Sequence, residues 1–85
     1  MNYDLIYTNR AIKDIKKLSP EIKKRIGNTL LRYKSDPQKY SETLKETKMG
    51  TYRFRIGDYR VIFDIEGSQI VVLRVGHRRD IYRKF

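Results

Sequence analysis

Residues Gly50 to Val75 hold three β-rich runs separated by two tight-turn signals, and no other feature of the chain constrains its fold as much. The stretch reads Gly-Thr-Tyr-Arg-Phe-Arg-Ile, a Gly57-Asp58 turn, Tyr-Arg-Val-Ile-Phe-Asp-Ile, a Glu66-Gly67-Ser68 turn, then Gln-Ile-Val-Val-Leu-Arg-Val. Short β-rich runs joined by glycine turns predict an antiparallel meander. Side chains alternate between the faces of a strand. Tyr52, Phe54 and Ile56 therefore share one face of the first run, and Arg53 and Arg55 share the other. In the second run Tyr59, Val61, Phe63 and Ile65 oppose Arg60, Ile62 and Asp64. The third run is apolar on both sides, which suits a central or well-covered strand. The meander thus presents one apolar face and one face that carries arginines.

An apolar face needs a cover, and the N-terminal half supplies it. Asn2 to Tyr7 alternates, with Tyr3, Leu5 and Tyr7 on one side, and reads as a first strand. Thr8 can cap a following helix with its hydroxyl. Ala11, Ile12, Ile15 and Leu18 then fall on one helical stripe, with Lys13, Lys16 and Lys17 pointing out. Ser19-Pro20-Glu21 ends that helix and starts the next, with serine at the cap, proline at the first helical position and an acid in the first turn. Ile22, Ile26, Leu30 and Tyr33 form the second stripe, and Asp36-Pro37 stops it.

The predicted fold class is α+β. An N-terminal strand leads into an antiparallel two-helix hairpin and then the three-stranded meander, with the helices packed on one face of a sheet of about four strands. Gln38 to Met49 is polar, anchored by Leu44 and Met49, and reads as a loop able to hold a short turn. No linker or repeat interrupts the chain, so residues 1–85 are expected to form one domain. Gly76 ends the last strand, and the tail beyond it is expected to close against the sheet edge.

Charge narrows the partner. Lysine plus arginine number 20 against 10 acidic residues, a formal net charge of +10. So basic a small domain suits a polyanion or an acidic protein. Of ten lysines only Lys84 lies beyond Gly50, whereas seven of ten arginines do: Arg53, Arg55, Arg60, Arg74, Arg78, Arg79 and Arg83. Lysines at helical spacing make a solvated face, but the planar fork of arginine suits phosphate. These seven arginines are the candidate nucleic-acid-binding set. Without cysteine there is no disulfide or thiol chemistry, and one histidine makes a zinc site untenable, so no metal or cofactor is expected. No apolar run reaches membrane-spanning length and no signal peptide opens the chain, so a cytoplasmic protein with no membrane partner is expected.

An arginine-lined face can act on a phosphodiester. Metal-free RNA cleavage needs a base for the 2′-hydroxyl, an acid for the leaving 5′-oxygen and positive charge for the phosphorane. Arginine serves the third task and not the first, since its pKa stays above about 12. Proton transfer then falls to His77, the one residue type that ordinarily titrates near neutrality, or to Tyr82. Both follow the third strand, beside Arg78. Asp64 is expected to order an arginine. Arg60 is expected at the surface, so that its removal opens no cavity and changes stability little.

The string Tyr52-Arg53-Phe54-Arg55-Ile56-Gly57-Asp58-Tyr59-Arg60-Val61-Ile62-Phe63, followed by Ile70-Val71-Val72-Leu73-Arg74-Val75-Gly76-His77-Arg78-Arg79-Asp80-Ile81-Tyr82, closely resembles the RelE family of the RelE/ParE toxin superfamily. Arg10-Ala11, the Lys-Lys-Leu18 helix end and Pro20 extend the resemblance over nearly the whole chain. It implies the RelE-like fold and the toxin of a type II toxin–antitoxin pair. It also implies a metal-independent endoribonuclease, an mRNA interferase that inhibits translation by cutting mRNA in the ribosomal A site of the 30S subunit. The implied partners are mRNA, the ribosome and a cognate acidic RelB-like antitoxin, with operator DNA reached only through that antitoxin. Family basic positions fall on Arg53, Arg55, Arg60 and Arg78, and the C-terminal tyrosine on Tyr82. His77 sits where members alternate between histidine and lysine. Ribosome-dependent members often carry lysines at the positions of Arg53 and Arg55, one of them assigned as general base. With arginine there, either the base has moved to His77 or Tyr82 or the activity is weaker.

Two other classes compete. A ParE-like chain would keep the fold and poison DNA gyrase by binding it, usually without the basic RNase set. A basic nucleic-acid-binding module would bind without cleaving.

Overall fold

The structure, a computed structural model, describes residues 2–44 and 51–82. The part of the expected loop from 45 to 49 with its Met49 anchor, Gly50, and Arg83 of the arginine set lie outside the described residues. The elements in chain order are β1 (Asp4–Tyr7), α1 (Asn9–Lys16), α2 (Pro20–Tyr33), α3 (Pro37–Tyr40), β2 (Ser41–Thr43), β3 (Tyr52–Ile56), β4 (Tyr59–Glu66) and β5 (Gln69–His77). The strands form one five-stranded sheet in the order β1-β5-β4-β3-β2. β3, β4 and β5 make the expected antiparallel meander, and β1 lies parallel to β5.

The caps act as their residue types require. Thr8 Oγ1 accepts from the Ala11 N–H at 3.1 Å and donates to Val72 O at 3.0 Å, so one hydroxyl starts α1 and ties it to β5. Ser19 caps α2 through the Ile22 N–H, with Pro20 at the first helical position. The hairpin helices lie on one face of the sheet. There Ala11, Ile26 and Leu30 join Phe54, Ile56, Val61, Phe63, Ile70, Val72 and Val75 in the main core, with Ile15, Leu18, Ile22 and Tyr33 packed around it. Ile12 departs from the expected stripe and is 40% exposed. Its place in the interior goes to Asp14, which is buried.

Asp14 is buried because β1 stops short. Beyond Tyr7, which pairs with Val72, the edge of β5 has no strand beside it. Asp14 Oδ2 accepts there from the Val75 N–H at 3.0 Å and from Arg74 Nε at 2.7 Å. Removing this carboxylate takes away the Val75 N–H partner and a nearly buried counter-charge of Arg74. Asp14→Ala is therefore expected to cost about 3 kcal/mol, read as a drop in melting temperature of roughly 10–20 °C.

The segment read as a loop after Asp36 is more regular than expected. Asp36 caps the short α3, whose Tyr40 stacks on Tyr33 of α2 with ring centroids 4.4 Å apart. The chain then enters β2, which pairs antiparallel with β3 and raises the strand number to five. A three-residue edge strand carries too little alternation to be read locally. The tail also differs from expectation. It folds onto the arginine face of the sheet, where Ile81 packs with Ile62 and Leu44 as a small second apolar cluster. Among the described residues no helix is long and apolar enough to cross a membrane.

Candidate active site

The β3–β4 hairpin brings the first arginines together. Gly57 holds φ at +59°, the left-handed conformation that this two-residue turn needs, and a Cβ there would lie 2.7 Å from Arg25 Nη2 of α2. The resulting register sets Arg55 opposite Arg60 and Arg53 opposite Ile62. On the outer side of β3, β2 places Glu42 opposite Arg53. β5 sets Gly76 opposite Arg60, and Ile81 packs over Gly76, at the distance of ordinary van der Waals contact from where a Cβ would lie.

The tail completes the site. The Arg78 N–H donates to Asp58 O at 2.7 Å, and the Ile81 N–H donates to His77 O at 3.0 Å, so the chain makes a tight turn straight after β5. Ile81 enters the small apolar cluster, and the next residue, Tyr82, is carried across to β3. Arg53 Nη1 donates to Tyr82 Oη at 2.6 Å. The other end of the same guanidinium donates from Nη2 to Glu42 Oε2 at 2.9 Å, while Arg55 Nη1 reaches Glu42 Oε1 at 3.2 Å. Bonds from these two arginines hold the Glu42 carboxyl below its ordinary pKa, and bonds from Glu42 and then Tyr82 raise that of Arg53.

Arg60 corrects an expectation. It is only 6% exposed, and its Nη1 donates to Gly57 O and Tyr59 O, each at 2.9 Å. Burial presses its pKa down, and the charges of Arg55, Arg53 and Arg78 press in the same direction. The positive charges of Arg53, Arg55, Arg60 and Arg78 therefore act on one another across this face. Arg53, Arg55, Arg60, Arg78 and Tyr82 thus form one cluster, with Arg78 Nε 3.8 Å from Asp58 Oδ1 at its rim.

The other candidates are placed elsewhere. Between Ile62 and Phe63 the ladder shifts by one, so that Leu73 is an extra residue in β5. Side chains after such a bulge change faces. His77 pairs with Tyr59 and meets its ring edge-on at 5.4 Å, on the helix-bearing face, away from Arg60. Its Nδ1 accepts from the Arg79 N–H at 3.1 Å. Arg74 is drawn to Asp14, and the Arg79 residue is exposed beyond the strand end. Asp64 orders backbone in place of an arginine, accepting from the Thr51 N–H at 2.7 Å. Glu42 was missed by sequence reasoning, because nothing in its surroundings marks it as the partner of a strand that begins ten residues later. Among the described residues no three His, Asp or Glu side chains converge as metal ligands.

Comparison with known proteins agrees with this architecture. A family model described as the ParE toxin of type II toxin–antitoxin system, parDE, matches residues 5–82. Toxin RelG of Mycobacterium tuberculosis is 34% identical over 87 residues, spanning 99% of this chain and 100% of that protein. Toxin RelE3 of Methanocaldococcus jannaschii is 30% identical, spanning 95% of this chain and 97% of that protein. Among solved structures, the toxin–antitoxin complex RelBE2 from Mycobacterium tuberculosis is similar with a TM-score of 0.84 and 28% identity, over 92% of this chain and 100% of that one.

Proposed function

The chain belongs to the ParE toxin family of type II toxin–antitoxin systems, within the RelE/ParE superfamily, and we propose that it is a RelE-like mRNA endoribonuclease. We assign this activity to residues 1–85 as one toxin domain. The observation that carries the reading is the cluster of four arginines around a tyrosine that accepts from Arg53 Nη1 at 2.6 Å.

In the proposed reaction the 2′-oxygen attacks phosphorus, the bond from phosphorus to the 5′-oxygen breaks, and a 2′,3′-cyclic phosphate and a 5′-hydroxyl result. The 2′-hydroxyl loses a proton and the departing oxygen gains one. Because Tyr82 accepts from Arg53, its own O–H is left to donate, and Arg53 stabilises the phenolate that forms. Arg55, Arg60 and Arg78 face the charge that builds on the phosphorane. Both oxygens of Glu42 are taken by Arg53 and Arg55, so it is not free to act as the base in this arrangement. Among the described residues the cluster offers no better one. Proton removal is therefore assigned to a group of the ribosome-bound substrate, and the ribosomal A site is the place of cleavage that the family resemblance implies.

A net charge of +10 and a helical hairpin that leaves Ile12 and Leu31 exposed support an acidic, RelB-like antitoxin as partner. A groove of about 300 Å³ between α1 and α2, lined by Ile15, Leu18, Ile26 and Leu30 with Lys16 and Lys23 at its rim, suits an acidic amphipathic segment. Operator DNA is reached only through that partner. The ParE name of the matching family model favours a second reading, gyrase poisoning.

Brief induction of the chain, with 5′ ends of cellular mRNA mapped by primer extension and a parallel supercoiling assay, tests the reading. Internal cuts in translated mRNA, with little cutting of ribosome-free RNA, are expected. Growth arrest without cuts but with stalled gyrase would transfer the function to the ParE-like alternative. Affinity purification from the native host at low salt is expected to recover a small acidic protein.

A further inference from the structure

Glu42 is the one carboxylate hydrogen-bonded into the arginine cluster among the described residues. We propose that it is an internal stand-in for substrate: its two oxygens fill a phosphate seat between Arg53 and Arg55, and an arriving RNA phosphodiester displaces them. This rests on the RNA-cleaving reading above and deepens it, naming where a backbone phosphate sits and what must first leave.

The geometry is that of an anion held between two forks. Oε2 takes Arg53 Nη2 at 2.9 Å and Oε1 takes Arg55 Nη1 at 3.2 Å, so each oxygen is committed to a different arginine. Two non-bridging phosphate oxygens can accept from the same pair of guanidiniums. The hold is weak enough to be broken. The Glu42 side chain is 47% exposed, that of Arg55 56% and that of Arg53 25%. Ion pairs as open as this shift an equilibrium by at most about fivefold.

Nor does β2 depend on the ion pair for its place. Backbone pairing joins Ser41 to Phe54 and Thr43 to Tyr52, and the Leu44 N–H donates to Thr51 O at 2.7 Å. Glu42 can therefore swing away while its strand stays paired. In the free protein it neutralises part of the cluster. In the complex a phosphate takes its bonds and the carboxylate turns to solvent.

The test is binding of a fluorescent 2′-O-methyl RNA oligonucleotide, which lacks the nucleophile and stays intact, measured by anisotropy over a range of salt concentrations. Glu42→Gln keeps the shape and removes the charge. It is expected to bind about threefold to fivefold tighter than the unaltered chain, because no carboxylate has to leave, with the same log–log salt slope, because both complexes neutralise the same phosphates. Glu66→Gln, at the far turn of the sheet, removes the same unit of net charge. It is expected to change affinity by less than about twofold, because exposed charges beyond a Debye length are screened. Equal affinity for Glu42→Gln and the unaltered chain would overturn the proposal, as would a steeper slope for Glu42→Gln, which would mean that no phosphate takes the seat while Glu42 is present. So would weaker binding, which would make Glu42 a residue that holds the arginines ready for RNA, and so would equal gains from both substitutions. Cleavage is scored separately by mRNA cuts in a translating extract. Tighter binding without cuts from either protein would keep the phosphate seat and sink the RNase. Cuts with unchanged binding would do the reverse.

Discussion

Arg60→Ala is expected to lower mRNA cleavage a hundredfold or more, equivalent to about 3 kcal/mol of transition-state stabilisation. The same substitution is expected to cost about 2 kcal/mol of folding stability, because a nearly buried guanidinium and its bonds to two backbone carbonyls are lost. A surface arginine would have given the first effect without the second. Arg60 is 6% exposed, with Nη1 on Gly57 O and Tyr59 O, so it props the β3–β4 turn as well as charging the site. The two effects separate with a companion variant. Arg60→Lys keeps the positive charge but lacks the planar fork, and is expected to recover part of the activity. Thermal melts of both variants, with cleavage assayed well below the lower melting temperature, check this. Full cleavage by a folded Arg60→Ala protein would remove Arg60 from the chemistry. Unchanged melting would show that its carbonyl bonds contribute nothing to the fold.

Tyr82→Phe is the second large effect. The substitution keeps the ring and removes the proton donor, and is expected to slow cleavage by roughly a hundredfold while binding of non-cleavable RNA changes by less than about threefold. His77→Gln is the informative contrast. The sequence leaves both His77 and Tyr82 as candidates, but the structure sets His77 against Tyr59 on the helix-bearing face and Tyr82 against Arg53 on the other. His77→Gln is therefore expected to leave the cleavage rate within about threefold, as for an ordinary substitution away from the reacting groups. Single-turnover cleavage on programmed ribosomes, with RNA binding measured separately, distinguishes the outcomes. A large loss with His77→Gln and none with Tyr82→Phe would place the chemistry across the sheet from the arginine cluster.

Much of this molecule was legible in local sequence. Alternation separated Phe54, Val61 and Phe63 from Arg53, Arg55 and Arg60, and both turns lie where glycine permits a positive φ. Thr8 and Ser19 cap the helices that their positions predicted, and the stripe from Ile22 to Tyr33 packs on the core. These features depend on neighbours within a turn or two, where periodicity and side-chain chemistry act directly. The four arginines and the tyrosine of the candidate site were likewise marked by their residue types and by the family string.

Tertiary structure decided the rest, because it depends on what lies opposite a residue. β2 exists only because β3 is beside it, and that pairing delivers Glu42 to Arg53 and Arg55. β1 ends at Tyr7, so Asp14, on the buried side of α1 beside Ala11, occupies the bare edge of β5 and binds Arg74 there. The turn after β5 and the packing of Ile81 on Ile62 and Leu44 carry Tyr82 to Arg53. Strand alternation is a parity rule, and the single extra residue at Leu73 reverses it for every side chain that follows in β5. His77 lies four residues beyond that point, on the face that a count along the sequence alone would not assign to it.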